Sequence, residues 1–274
     1  MWAPTNQSGT NAAWPSGINI YMIGTNNGYI DTTGDTASCP ITIVDPGVGN
    51  TKIVYTSARA SQTTRIGTIT VNTRTTLSGN PIPANAASNV VVSELLTLLG
   101  SWVIKSGQGW DFSGSGSVLS AATSENITDA GGIIYFSNSA ATQAIFPATT
   151  INNITRSTTS TNALTITSNN TSITTIANHA SGGGSFAFVD GGSGAPTFSN
   201  FNIDGQPSAI ALITGPVISS GATFLVDYAT ITNSTASPSG KWLGGNGTTD
   251  GGGNTNWLFG QGINNNDNFF LILF

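Results

Sequence analysis

The feature that most constrains this chain is a spaced recurrence of apolar pairs in its second half. Units with two apolar residues flanking two others occur at Ile151-Asn152-Asn153-Ile154, Ile173-Thr174-Thr175-Ile176, Phe198-Ser199-Asn200-Phe201 and Leu225-Val226-Asp227-Tyr228. Their starts are separated by 22, 25 and 27 residues, the scale at which solenoid coils repeat. A coil of that size cannot bury its apolar side chains alone, so neighbouring coils must stack into one continuous core. Gly182-Gly183-Gly184 and Gly191-Gly192-Ser193-Gly194 fall between the units as loop material. The expectation is an all-β chain with a right-handed parallel β-helix-like second half and a smaller N-terminal β module. An antiparallel β-sandwich or jelly roll is the alternative, because its strand-plus-turn spacing imitates the same pattern.

Residues 1–110 show no such repeat and are expected to form the N-terminal module, an anchor or cap. The Gly/Ser-rich stretch Gly107–Ser117 marks the boundary. Residues 111–240 then form the repeat region, and 241–274 a Gly/Asn loop followed by an apolar docking tail. Short β-branched runs bounded by turn residues recur throughout, as in Ile41–Val44 before Asp45-Pro46-Gly47. The one segment with helical character is Ser93–Ile104, with Ser93 as a candidate N-cap. Its strand-like end leaves helix and strand equally open.

Charged residues make up 7% of the chain, against about 25% in ordinary globular domains. Ser, Thr, Asn and 34 Gly take their place, a composition suited to extracellular or virion β-structure solvated by hydroxyls and amides. A net charge of −5 with only 7 Lys plus Arg gives no basic patch, which argues against nucleic acid as a partner. The single cysteine, Cys39, excludes an internal disulfide framework. Neither a membrane span nor a secretory signal is expected, since Met1-Trp2-Ala3-Pro4-Thr5 opens without a basic or apolar region. Phe269-Phe270-Leu271-Ile272-Leu273-Phe274 is a sticky liability unless it is docked, at home or on a neighbour.

Several residues invite a chemical reading. His179 is the sole histidine and reads as a loop residue, with no GxSxG elbow nearby. Asp190, Asp204 and Asp227 fall in successive coils, where stacked carboxylates would suit a polysaccharide depolymerase. Asp190-Gly191 and Asp204-Gly205 read more readily as turns. Asp250 with Asn246 and Asn254 offers oxygens for calcium, but with one carboxylate where several are usual. No catalytic residue, cofactor or metal is assigned. Trp102 suits core packing at least as well as an interface, whereas Trp2, Trp14, Trp242 and Trp257, near the chain ends, are the candidates for docking to sister subunits or a larger particle.

The segment Asp227–Gly260 resembles a C-terminal pattern in structural proteins of tailed bacteriophages. The matching residues are Ile231-Thr232-Asn233-Ser234, Ala236, Trp242, Thr249-Asp250-Gly251-Gly252-Gly253-Asn254 and Trp257-Leu258-Phe259, followed by the Phe-rich run. The resemblance implies a non-enzymatic virion protein, a capsid decoration or a short fibre or spike active in host attachment. It implies a homo-oligomer, with a trimer favoured, contacting other virion proteins of the capsid or tail at the particle surface. A carbohydrate-binding surface adhesin that holds cell-surface glycans is the alternative, with the depolymerase third.

Overall fold

The computed structural model describes residues 18–30, 36–37, 39–56, 63–78, 89–114, 118–121, 127–140, 142–178 and 181–260. Over those residues the chain forms 29 short strands and no helix. Every pairing between those strands is parallel, and partners always come from neighbouring coils. The fold is a parallel β-helix, and the sandwich alternative is excluded by that pairing.

Period-two alternation explains why these residues are strands. Sheet 1 has eleven strands, from Ile20–Met22 to Thr249–Asp250. Along it Ile41, Ile69, Leu96, Leu119, Ala144, Ile166 and Phe188 stack rung on rung, all buried. Sheet 2 has ten strands, from Thr36–Ala37 to Ala236–Ser237. It contributes a second inward ladder of Val90, Trp110, Ile134, Ile154, Ile176 and Phe201. Between inward residues stand Thr42, Thr70 and Thr97, in register on the outer face. Burial of an Ile or Phe contributes about 1.5–3 kcal/mol, and each coil supplies several.

The number of strands per coil changes along the axis. Early coils add a third strand in sheet 3, five strands from Gly28–Ile30 to Ile127–Asp129. At Thr150–Arg156 one seven-residue strand takes the place of two. Its first part stacks on Ile127–Asp129 through Thr149 Oγ1 to Ile127 O (2.8 Å) and Asn152 N to Asp129 Oδ2 (2.7 Å). Its second part pairs with Ile133–Phe136. Beyond Thr197–Asn202 the third strand returns as sheet 4, formed by Phe224–Val226, Trp242–Gly244 and Trp257–Phe259.

Three of the four repeat units occupy the positions their spacing implies. Ile151, Ile173 and Phe198 form one column, and Ile154, Ile176 and Phe201 the next. The fourth is a register correction. Phe198 faces Ser219, while Leu225 lies in sheet 4 and points outward, with Phe224 and Val226 inward. The stack also runs unbroken through residue 110: Gly109–Phe112 pairs with Asn89–Val92 on one side and Ile133–Phe136 on the other. Unequal coil lengths conceal this in the sequence, since Ile41 to Ile69 spans 28 residues and Ile213 to Ile231 only 18.

The helical reading of Ser93–Ile104 is replaced by two strands, Leu95–Leu98 and Ser101–Ile104, whose inward residues are Leu96, Leu98, Trp102 and Ile104. Gly100 turns the corner between them. A Cβ there would lie 2.3 Å from Asn72 O and 2.4 Å from Thr75 O, so the coil below leaves room only for glycine.

Because each ladder residue touches rungs on both sides, Ile176→Ala is expected to cost about 2–5 kcal/mol. Thr165→Ala, on the outer face, is expected to stay within about 0.5 kcal/mol. Denaturant unfolding of the two variants checks the contrast.

Candidate functional site

The chemically richest place is the corner where sheets 2 and 4 turn toward sheet 1. Asp204 follows Thr197–Asn202, Asp227 follows Phe224–Val226, and Asn246 follows Trp242–Gly244. These three stack in successive coils. Asp227 N donates to Asp204 Oδ1 (3.0 Å), and Asn246 N donates to Asp227 Oδ1 (2.7 Å). Gly205 N donates to Asp227 O (2.8 Å), Tyr228 N donates to Asn246 O (2.7 Å), and Asn178 Nδ2 reaches Asp204 O from the coil below. Gly245 completes the fit, since a Cβ there would stand 2.1 Å from Asp227 Oδ1. Each carboxylate therefore accepts an amide hydrogen from the next coil, where a corner breaks the regular ladder.

Partial desolvation by these coils raises the Asp204 carboxyl above its ordinary range. The amide of Asp227 opposes that shift, and the nearby Asp227 charge adds to it. Asp204 and Asp227 are thus brought together, as a depolymerase would need, but their oxygens serve the backbone. Asp190 sits elsewhere, at the end of Ser185–Asp190, with Oδ1 accepting from Gly192 N (2.8 Å) and Gly194 N (2.9 Å).

Other acids accept amide hydrogens from their own turn. Asp129 Oδ1 accepts from Gly131 N and Gly132 N, both at 2.9 Å. Asp45 Oδ1 accepts from Gly47 N (2.8 Å) and pairs with Arg74. Hydrogen bonds from Thr73 and Gly47, with Arg74 beside them, hold the Asp45 carboxyl below its usual value. Asp250 Oδ1 accepts from Gly252 N (2.9 Å) and Asn254 Nδ2 (2.6 Å), and Asn254 Oδ1 accepts from Ser234 N (2.9 Å). Of the oxygens considered for calcium, Asp250 Oδ1 and Asn254 Oδ1 therefore accept hydrogen bonds from protein donors. Among the described residues no three His, Cys, Asp or Glu side chains gather as a cation site.

Among the described residues, two cations are buried with no carboxylate paired to them. Arg156 ends Thr150–Arg156 facing inward, and its Nη2 donates to Asn162 O. Burial lowers its pKa to about 10, which leaves it charged at neutral pH. Lys52 Nζ donates to Met22 O, and burial lowers its pKa as well. In both cases a backbone carbonyl takes the place of a counter-ion.

The tryptophans divide clearly. Trp102 and Trp110 pack edge to face, 4.9 Å between centroids, inside the first half. Trp242 was a docking candidate on sequence grounds, but none of its surface is exposed. It contacts Phe198, Phe201, Phe224 and Trp257, and its Nε1 donates to Ser237 O (3.1 Å). Its ring joins coils of its own chain. Trp257 is 7% exposed and donates from Nε1 to Ser234 Oγ (2.9 Å). Trp2, Trp14, His179 and Phe269, Phe270, Leu271, Ile272, Leu273 and Phe274 lie outside the described residues.

Sequence reasoning missed an outward apolar stripe on sheet 4. Leu225, Leu243 and Leu258 are in register, with Leu225 49% and Leu258 51% exposed. The signal was present in the recurring triplets Phe224-Leu225-Val226, Trp242-Leu243-Gly244 and Trp257-Leu258-Phe259.

Comparison with protein-family models, curated proteins and solved structures gave no match.

The Asp204 shift has a definite sign. A carboxyl raised in the folded state favours folding while protonated. That contribution is lost as pH rises from the ordinary value of about 3.9 through the raised one. Asp204→Asn keeps an oxygen to accept from Asp227 N and carries no charge. Its thermal midpoint relative to the unsubstituted protein is expected to climb between about pH 4 and pH 7, as thermal unfolding across that range would register; a flat difference would contradict the assignment.

Proposed function

We propose that this chain is a non-enzymatic structural protein of a bacteriophage particle, a capsid decoration or a component of a short fibre or spike, assembled as a homo-oligomer. The observation that carries this reading is the use of the acids. Asp45, Asp129, Asp190, Asp204, Asp227 and Asp250 each accept a backbone amide hydrogen. Six of the eight acids among the described residues are spent on backbone amides in this way, a use of carboxylates that favours stiffness. Fold alone does not define function, and the resemblance of Ile231–Phe259 to tailed-phage structural proteins supplies the virion context.

The exposed leucines of sheet 4 support assembly with further copies of the chain. Three leucines are less than the roughly 1,200–2,000 Å² of a stable interface, so partner copies would meet along more of the solenoid. With 7% charged residues, such side-by-side contact brings little like-charge repulsion. Trp242 has no place in this contact.

Light scattering is expected to show a discrete oligomer that dissociates when Leu225 and Leu258 are both replaced by Asp, with the β-sheet signal unchanged. An antibody to the protein is expected to label purified virus particles. A monomer absent from particles would remove the proposal.

A further inference from the structure

The chain holds two Asn-Gly pairs, Asn27-Gly28 and Asn246-Gly247. A glycine after asparagine lets the main-chain nitrogen approach the side-chain amide carbon, because no Cβ stands in the way. The fold treats the two pairs differently. Asn27 is pinned, since its Oδ1 accepts from Ile53 N (2.9 Å), and Gly28 opens a strand in register with Val54. Asn246 sits in a turn closed by Thr248 N donating to Gly245 O (3.2 Å). Its main chain staples the corner through Asp227 Oδ1 and Tyr228 N, but its side chain and Gly247 N bond to nothing among the described residues. Gly247 is exposed and has a φ of +63°. A Cβ on it would stand 2.3 Å from Tyr228 Cδ1, so the corner demands glycine there. The fold thus imposes the reactive neighbour and leaves the Asn246 amide unused.

We propose that Asn246 is a site of spontaneous deamidation that unfastens this corner as the protein ages. Gly247 N bonds to Asn246 Cγ, the Cγ–Nδ2 bond breaks, and the Gly247 amide proton leaves with Nδ2 as ammonia. Water then opens the cyclic imide at either carbonyl. Opening at Cγ gives aspartate. Opening at the main-chain carbonyl gives isoaspartate, in which the main chain runs through the side chain. Either product puts a carboxylate beside Asp227, which already stands next to Asp204, and like charges in adjacent rungs repel. Isoaspartate also lengthens the main chain by a methylene. The bonds from Asn246 N to Asp227 Oδ1 and from Tyr228 N to Asn246 O, both 2.7 Å, then cannot both keep their geometry. Ring closure needs only a brief local opening of the turn, not unfolding of the stack. The inference rests on this turn and is independent of the virion reading.

The test keeps the full chain folded at mildly alkaline pH and follows it by peptide mass spectrometry, which reads amide-to-acid conversion at each asparagine. Conversion at Asn246 is expected to run roughly tenfold or more ahead of that at Asn27, because opening a turn costs less than opening a strand. Equal conversion at the two pairs, or none at Asn246, would overturn the proposal. Hydrogen exchange on fresh and aged samples gives the second readout, with Asn246→Gln as the control that cannot close the same ring. After ageing, amide protection at Trp242–Gly244 is expected to fall in the unsubstituted protein and to hold in Asn246→Gln. An equal loss in both, or no loss in either, would overturn the claim that the modification unfastens the corner.

Discussion

The structure depends on one requirement: each coil must find its backbone hydrogen-bond partners in the coils directly above and below. Within strands the parallel ladder meets this. At corners it does so only in part, because the chain turns and the regular spacing is lost. Side chains must then supply the missing acceptors and donors. Asp227 Oδ1 receiving Asn246 N, and Asn152 Nδ2 donating to Asp129 O, are two such replacements. Composition follows from this, because short amides, hydroxyls and carboxylates are the groups that reach a neighbouring backbone while costing little volume.

The same requirement accounts for the scarcity and placement of charge. A solenoid presents each residue to copies of its own position one rung away, so a charged column would repel itself. Thr42, Thr70 and Thr97 stand in register on the outer face of sheet 1, and Asp45, Asp190 and Asp250 each accept an amide hydrogen within their own turn. Asp204 and Asp227 are the exception, in adjacent coils, and the raised Asp204 carboxyl is the consequence. The turn reading of Asp190 and Asp204 agrees with their bonds: Asp190 accepts from the amides of its own turn, and Asp204 accepts from Asp227 N in the adjacent coil.

How much was legible can be judged from particular residues. The columns Ile151–Ile173–Phe198 and Ile154–Ile176–Phe201 were readable because coils of similar length preserve a visible period. The first half shares the fold, but coils of changing length removed the period and suggested a separate module. Leu225 was placed inward because Leu225-Val226-Asp227-Tyr228 mimics the spacing of the earlier units, although there one long strand has become two. Trp242 attracted a docking role through its aromatic size. Burial alone distinguishes a core tryptophan from an exposed one, and the sequence does not report burial.

The central claim is a single stack running from Ile20 to Phe259. Peptide-resolved hydrogen exchange tests it most directly. Protection should continue across Gly109–Phe112 and decline only toward the first and last coils, as expected of a quasi-one-dimensional array. If residues before 110 exchanged as a unit of their own, with a sharp step in protection at that point, the continuous stack would be contradicted.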